Sequence, residues 1–541
     1  MAFIKTERKK SGTYLRLVES YRGEDGKPKH RTVATLGKAE DFSKKTLRRM
    51  GQIFLELSGE NYKEDSKKSM KEITRYNYGF ALVYDKLMKH YGLDELLKNI
   101  GIRNNTSYDL YKQVLLMILD RLNDPSSKLS VYDHQEEYYG FREMQLQHFY
   151  RALDYLYKNQ KLIQEQIFRS HQHLFNQKLD VVFYDVTTFY FDSDKEDGFR
   201  NIGFGKDGKI GKTIIVFGML IDKDKNPVGY TVYEGGFYEG HTFRDAIEKL
   251  KQEYEIEKVI TVADRGMMNE TNIRIVEEEA GYEYIVGERL KNLPKKIKEK
   301  ILDRSNYKKL TIADETTGEL IEIEYLEIEY KGKRLITTFS RNRASKDSYD
   351  RQERIRQGEK LLKSQNNIER KARRNYLKKT AKEGRYEIDK EKIENDARFD
   401  GLASIATNNR ELQVEEILSQ YRQLYKIEQT FRTFKSYLET RPMFHWTEGR
   451  IKGHLCLCYM SFAMLNYLGN LLKRKNVMMS EDKIREALNK MQLSLIELEV
   501  EKYYLRSSLS ERARQILSLL NLKKPPDFTK TADISRYIPT I

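Results

Sequence analysis

Residues 181–191 read VVFYDVTTFYF. β-Branched and aromatic residues dominate the run, which predicts a buried strand. One carboxylic acid, Asp185, stands in its middle. Side chains alternate across a strand, so Asp185 shares a face with Val181, Phe183, Thr187 and Phe189. A charge in that position is costly unless it is paired or holds a metal. From this strand alone two explanations stay open: Thr hydroxyls or backbone amides that satisfy the carboxylate, or a bound cation.

Working outward, KTIIVFGMLID (212–222) and VGYTVYEGG (228–236) read as strands joined by the turn KDKNP. HTFRDAIEKLKQEY (241–254) follows as a helix, with Thr242 and Asp245 as a capping box and Phe243, Ala246, Ile247 and Leu250 on one face. A fourth strand, KVITVAD (258–264), ends on Asp264. A helix from about Asn269 to Ala280, stopped by Gly281, leads to a fifth strand, YEYIVGE (282–288). The order is β-β-β-α-β-α-β. Three antiparallel strands, a helix and a returning strand place the fourth strand beside the first. Asp185 and Asp264 then meet at one rim, where ligands collect in open α/β sheets.

A third acid lies on YRQLYKIEQTFRTFKSYLE (421–439), within a helix expected over about 412–439. At 100° per residue, Leu424, Ile427, Phe431, Phe434 and Leu438 form an apolar stripe. Tyr421, Tyr425, Glu428, Arg432 and Lys435 run beside it. A helix lining a catalytic groove has this pattern, and so does an ordinary amphipathic helix with an exposed Glu428–Arg432 pair. Three carboxylates at a sheet edge suit Mg²⁺ or Mn²⁺, which take oxygen ligands. Two such ions roughly 4 Å apart serve phosphoryl transfer. Arg432 and Lys435, one and two turns from Glu428, are then placed to hold phosphate.

GFGKDGKIGKT (203–213) imitates a phosphate-binding Gly-rich loop. The spacing fails, and a strand rather than a helix follows, so no helix N-terminus is available for ATP phosphates. Two cysteines, Cys456 and Cys458, stand two apart on an expected helix. That spacing excludes a mutual disulfide, and with no further Cys or clustered His there is no zinc set; both read as small core residues.

The chain has 541 residues and a formal net charge of +16, with 33% charged residues. Length predicts several domains, and the charge favours a polyanionic partner, most simply nucleic acid. The most apolar stretch, LCLCYMSFAMLNYLGNLL (455–472), contains Ser and two Asn and fits a buried helix better than a bilayer span. MAFIKTERKKSG lacks the apolar region of a signal peptide, so a cytoplasmic protein is expected. The organisation predicted is a β-module over 1–42, a helical, DNA-binding domain over 43–175, and an α/β core over 176–289. An insertion of mixed β and helical character follows over 290–398, then a second core segment over 399–475 with the Glu428 helix, and a helical tail over 476–541. A helix-turn-helix near DPSSKLSVYDHQEEYYG and QLQHFYRALDYLYKNQ, or a plain helical bundle, fits the second segment. Lone Trp446 is a core residue or a platform for a DNA base.

Taken together, YDVTTFYF, GFGKDGK…VFGMLIDKDKNPVGYTVYEGG, VADRGM and YRQLYKIEQTFRTFK with RPMFHW resemble the DDE transposases of bacterial insertion sequences, in the branch with a Tyr-Arg-Glu-Lys signature. The resemblance implies a multi-domain α/β protein. Its core is ribonuclease H-like (β-β-β-α-β-α-β-α), interrupted by an insertion between the second and third acids. It implies Asp185, Asp264 and Glu428 as catalytic, metal-binding residues for Mg²⁺ or Mn²⁺, with Tyr421, Arg432, Lys435 and Arg265 on DNA. The signature's Arg falls at position 424, where this chain has Leu; Arg422 or Arg432 are the substitutes at hand. Implied partners are the element's double-stranded terminal repeats, target DNA and a second copy of the chain in a synaptic dimer. Implied chemistry is cleavage at the element ends, followed by transfer of the 3′-OH to target DNA. A nuclease without strand joining, and an inactive DNA-binding relative, are the competing readings.

Overall fold

The computed structural model describes residues 2–9, 11–24, 26–59, 71–175, 179–203, 211–237, 239–264, 270–313, 320–364, 375–380, 386–498 and 501–538. The chain divides into two compact units, Met1–Ile73 with Ile496–Tyr503, and Thr74–Leu495 with Tyr504–Ile541.

The first unit holds a three-stranded antiparallel sheet, Ala2–Lys9, Gly12–Arg22 and Pro28–Lys38 in that order. Two register shifts along the second and third strands break the regular ladder. Helix Lys44–Leu57 follows, with the Ser43 side chain accepting from the Thr46 N–H. The helix thus belongs with the N-terminal sheet rather than with the helices after residue 78. Little of this unit is sealed from solvent: Val18 is buried, while Leu47, Ile53, Phe54 and Leu57 are exposed.

The second unit is organised by a ten-stranded sheet. Its strands in chain order are β1 (Val181–Tyr190), β2 (Asn201–Ile202), β3 (Thr213–Asp222), β4 (Pro227–Tyr233), β5 (Ile260–Ala263), β6 (Glu283–Glu288), β7 (Lys308–Ala313), β8 (Leu320–Tyr330), β9 (Lys333–Phe339) and β10 (Leu402–Thr407). Across the sheet they run β7-β8-β9-β10-β6-β5-β1-β3-β2, with β4 also on β3. β1 is antiparallel to β3 and parallel to β5, which is parallel to β6. The five strands first read from sequence therefore lie in the order β4-β3-β1-β5-β6, with the fourth beside the first as its crossover requires. β7, β8 and β9, from the expected insertion, extend this same sheet through β10. Their alternating pattern marked them as strands; only long-range pairing attached them to this edge.

Both faces of the sheet are covered at its centre, which explains the near-continuous apolar runs of β1 and β3. Val182, Tyr184 and Val186 face Phe243, Ile247, Leu250 and Val276 on the helical crossovers. Phe183, Phe189 and Phe217 face a larger core containing Phe431, Phe434 and helix Glu448–Arg474. Helix Leu146–Lys158 packs on that same long helix, and Gly453 sets the spacing. A Cβ there would stand 2.1 Å from the Leu153 carbonyl oxygen. Helix Leu110–Asn123 is buried on nearly every side by the same core. Among the described residues, Glu448–Arg474 is the one helix long and apolar enough to cross a membrane, and 78% of its most apolar window is buried inside the protein. Cys456 and Cys458 lie within it, free and buried, and burial pushes the Cys456 thiol up to about 12. Both are core residues.

Several local expectations need revision. The helix read from residue 241 begins at Glu239, so Thr242 is no cap; it is fully buried, and its carbonyl accepts from the Tyr233 hydroxyl (3.2 Å). The single helix expected over 412–439 is two, Val414–Arg422 and Tyr425–Arg432, the second widening over Thr433–Tyr437. At the junction the Leu424, Lys426 and Ile427 N–H groups reach back three residues instead of four. At the far end the Leu438 N–H reaches back five, to Thr433 (2.9 Å). No Gly or Pro announces either change. The tail past residue 475 is not wholly helical: strands Gln492–Leu498, Glu501–Arg506 and Phe528–Lys530 accompany its helices. Gly281 does end its helix, at φ +71°, a backbone conformation that costs glycine little.

Candidate functional site

Asp185 sits halfway along β1 and is partly exposed, while its neighbours Tyr184, Val186 and Thr187 are buried. Strand alternation sends it to the face of Phe183 and Phe189. Its Oδ1 accepts the backbone N–H of Val186 at 2.7 Å. One of the two explanations open for the strand, a backbone amide on the carboxylate, is therefore present.

Helix Tyr425–Arg432 lies against the same face because its apolar stripe is buried there. Ile427, Phe434 and Leu438 are fully buried and Phe431 nearly so. Phe431 and Phe434 meet Phe217 of β3 with ring centroids 6.4 and 5.6 Å apart. Packing that stripe inward leaves Glu428 and Arg432 exposed and Lys435 half-buried. Among the described residues Glu428 makes no ion pair with Arg432, so the i,i+4 bridge of an ordinary amphipathic helix is not formed.

The result is an open pocket of about 300 Å³ lined by Asp185, Thr187, Glu428, Arg432, Lys435 and Arg441, among others. Two acids distant in sequence thus face one space bordered by three cations. Arg441 is the residue that sequence reasoning missed. It enters because the following segment docks on the end of β1. The Met443 N–H bonds the Tyr190 carbonyl (3.2 Å), Phe191 bridges Met443, and the Arg441 guanidinium lies 5.5 Å from the Tyr190 ring centroid. The RPMFHW segment was legible as a motif; its position beside Asp185 was not.

Asp264 comes to the rim by register. β1 and β5 pair in parallel, with Tyr184 opposite Ala263, so Asp185 and Asp264 are the next residues on adjacent strands. Neighbouring strands lie about 4.8 Å apart. Asp264 is exposed at the strand end and is not among the residues lining the pocket. Arg265 lies outside the described residues. Tyr421 belongs to the preceding helix, partly buried against the core and outside the pocket lining, because the tight turn at 423–427 separates it from Glu428.

Among the described residues no three His, Cys, Asp or Glu side chains stand close enough to hold a metal ion. The all-oxygen chemistry of Asp185 and Glu428, open to solvent at one pocket, nonetheless suits a hard divalent cation. Leu424, where the resemblance expects Arg, packs partly buried against the core, and Arg432 is the nearby guanidinium that lines the pocket. Trp446 is 61% exposed rather than a core residue, with the Arg200 guanidinium 4.8 Å from its ring centroid.

Residues 4–56, most of the first compact unit, match the family model described as "IS1634 family transposase, N-terminal domain". The match supports an insertion-sequence transposase, and with it DNA as partner. No curated protein matches the chain. The matched segment is strongly basic in composition.

Proposed function

We propose that this chain is a DDE-type DNA transposase whose sheet is a ribonuclease H-like core, with Asp185, Asp264 and Glu428 as its acids. The observation that carries the reading is the shared pocket of Asp185 and Glu428, residues from separate elements, rimmed by Arg432, Lys435 and Arg441. The strand order β4-β3-β1-β5-β6, the Asp185–Asp264 register and the N-terminal family match support it.

In this reading Asp185, Asp264 and Glu428 would hold Mg²⁺ or Mn²⁺, two ions in all, which when bound lower the pKa of an attacking water or hydroxyl and stabilise the departing oxygen. The chain's own part is positioning. β1 fixes Asp185 through its ladder to β3 and β5. Packing of the Phe431–Phe434 stripe fixes the rotation of Glu428. Arg432, Lys435 and Arg441, lining the same pocket, orient the phosphodiester and offset its charge. The substrates are the terminal repeats of the element and target DNA, worked on by a homodimer that brings two ends together. Leu424 shifts phosphate contact to Arg432.

The test is cleavage and joining of a donor bearing the element's own ends, with Mg²⁺, comparing wild type with Asp185→Asn. Joined products that vanish in the variant support the proposal. Cleavage without joining points to a nuclease, and DNA binding with no metal-dependent chemistry to a binding protein.

A further inference from the structure

Beside the acid pocket, and sharing Arg441 with it, lies a second cavity of about 300 Å³ with the opposite chemistry. Its lining includes Arg121, Lys128, His445 and His454, with Tyr150 and Phe444 on the outer side. Three of these groups are buried and each has one nitrogen without a close hydrogen-bond partner. Lys128 is 2% exposed, and its Nζ has no hydrogen-bond partner. His454 and Arg121 are each 4% exposed; the Arg121 Nε likewise has none, and the His454 Nδ1 has at most a weak contact with the Thr440 backbone. The terminal nitrogens of Arg121 are committed to the Leu438 and Ser126 carbonyls (3.2 and 3.0 Å), so the guanidinium is held in place. The His454 Nε2 meets only the Cys458 thiol at 3.7 Å.

One buried acid, Asp120, offsets part of this charge without bonding to it. Asp120 is buried and occupied by the Ser126 N–H and hydroxyl (3.1 and 2.8 Å). Glu439 lines the cavity from an exposed position at its mouth. Burial, and then the Arg121 charge, push Lys128 down to about 7. Burial with nearby Lys128 and Arg121 pushes His445 down to about 3, and His454 well below its ordinary range. Buried donors without acceptors are expensive, and a water supplies hydrogen bonds but no charge. An anion supplies both, and the exposed Ser127, Glu439 and Phe444 leave it a way in.

We propose that this cavity is an anion site that takes a phosphate group, held by Lys128 with Arg121 and His454. A phosphate offers several acceptor oxygens to donors that converge from different elements, the geometry in which Lys and Arg bind it best. Two sources carry the same chemistry, a DNA backbone phosphate and a free phosphate. The first rests on the proposed transposase function, since Arg441 joins this cavity to the acid pocket; the anion site itself does not.

The experiment uses the full chain at fixed ionic strength in the presence of a chelator, with inorganic phosphate titrated against chloride. Thermal stability and equilibrium dialysis are followed together. The expected result is a saturable rise in melting temperature and stoichiometric binding by the wild type. Lys128→Met weakens binding at least about tenfold while melting no lower than wild type when free, since burial and Arg121 disfavour the ammonium more than Asp120 favours it. His454→Gln, which keeps the cavity polar, gives a smaller loss and serves if the first variant does not fold. No saturable binding by the wild type, or binding unchanged in both variants, overturns the proposal. A short duplex with 5′ phosphates that displaces the bound phosphate assigns the site to DNA; phosphate retained against the duplex assigns it to a free ligand. Either result stands apart from the cleavage assay on Asp185→Asn.

Discussion

The two pockets that meet at Arg441 differ in how they hold charge. In the first, the carboxylates of Asp185 and Glu428 stand at or near solvent, with Arg432, Lys435 and Arg441 lining the same open space. In the second, Lys128, Arg121 and His454 are buried side chains lining a cavity that opens at Ser127, Glu439 and Phe444. An exposed charge costs the fold little, so the acid pocket is free to be shaped by chemistry. A buried uncompensated charge is a standing cost, retained only where something repays it. The first pocket should therefore be insensitive in stability and sensitive in activity, and the second the reverse until its anion arrives.

The sharpest way to break this contrast is at the acids. Asp185→Asn and Glu428→Gln are expected to lower strand cleavage by roughly 10³-fold or more, with Glu428→Gln leaving the denaturation midpoint almost unmoved. A Glu428→Gln variant that cleaves normally would remove the acid from the site. Next in size is Gly453→Leu. The new side chain would meet the Leu153 backbone, and the helix concerned carries His454 and supports the face beneath β1. A loss of more than about 3 kcal/mol, or no folded protein, is expected in urea titrations.

A third effect follows from Lys128. Its folded pKa of about 7 lies below the ordinary 10.5, so between those values the unfolded chain holds a proton that the folded chain lacks. Raising the pH through that window therefore favours the folded state. Lys128→Met should be more stable than wild type by a few kcal/mol below pH 7, since each tenfold difference in proton affinity between the two states is worth about 1.4 kcal/mol. The gap should close as pH climbs towards 10.5. Arg121, His445, His454, Asp120 and Glu439 surround the same group, and loss of the Lys128 charge also raises the Asp120 pKa and relieves part of the depression of His445 and His454. The smallest effect is expected for Arg432→Gln at the exposed rim. DNA affinity should fall by roughly three- to tenfold and the salt dependence by about one phosphate contact, measured across a salt series.

How much of this was legible varies with the kind of signal. The strands of the sheet were readable because β1 and β3 are apolar on both faces and broken by recognisable turns. The stripe from Ile427 to Leu438 was readable from helical periodicity, and it correctly left Glu428, Arg432 and Lys435 outside the core. The break at residues 423–427 was not, since no residue there disfavours a continuing helix. Lys128 gave no warning at all: it opens the six-residue helix Lys128–Asp133, too short for any periodicity to separate a buried lysine from a surface one.

Local patterns, then, set the elements themselves, the faces they bury and the acids they carry. Backbone hydrogen bonding and side-chain alternation act over a few residues and leave their period in the chain. Which elements become neighbours was decided by tertiary structure. Strands of the insertion extend the main sheet, RPMFHW docks beside Asp185, and Arg121, Lys128 and His454 converge from three helices. Those contacts depend on closing long loops and on the total apolar area buried, quantities that no short stretch of sequence records.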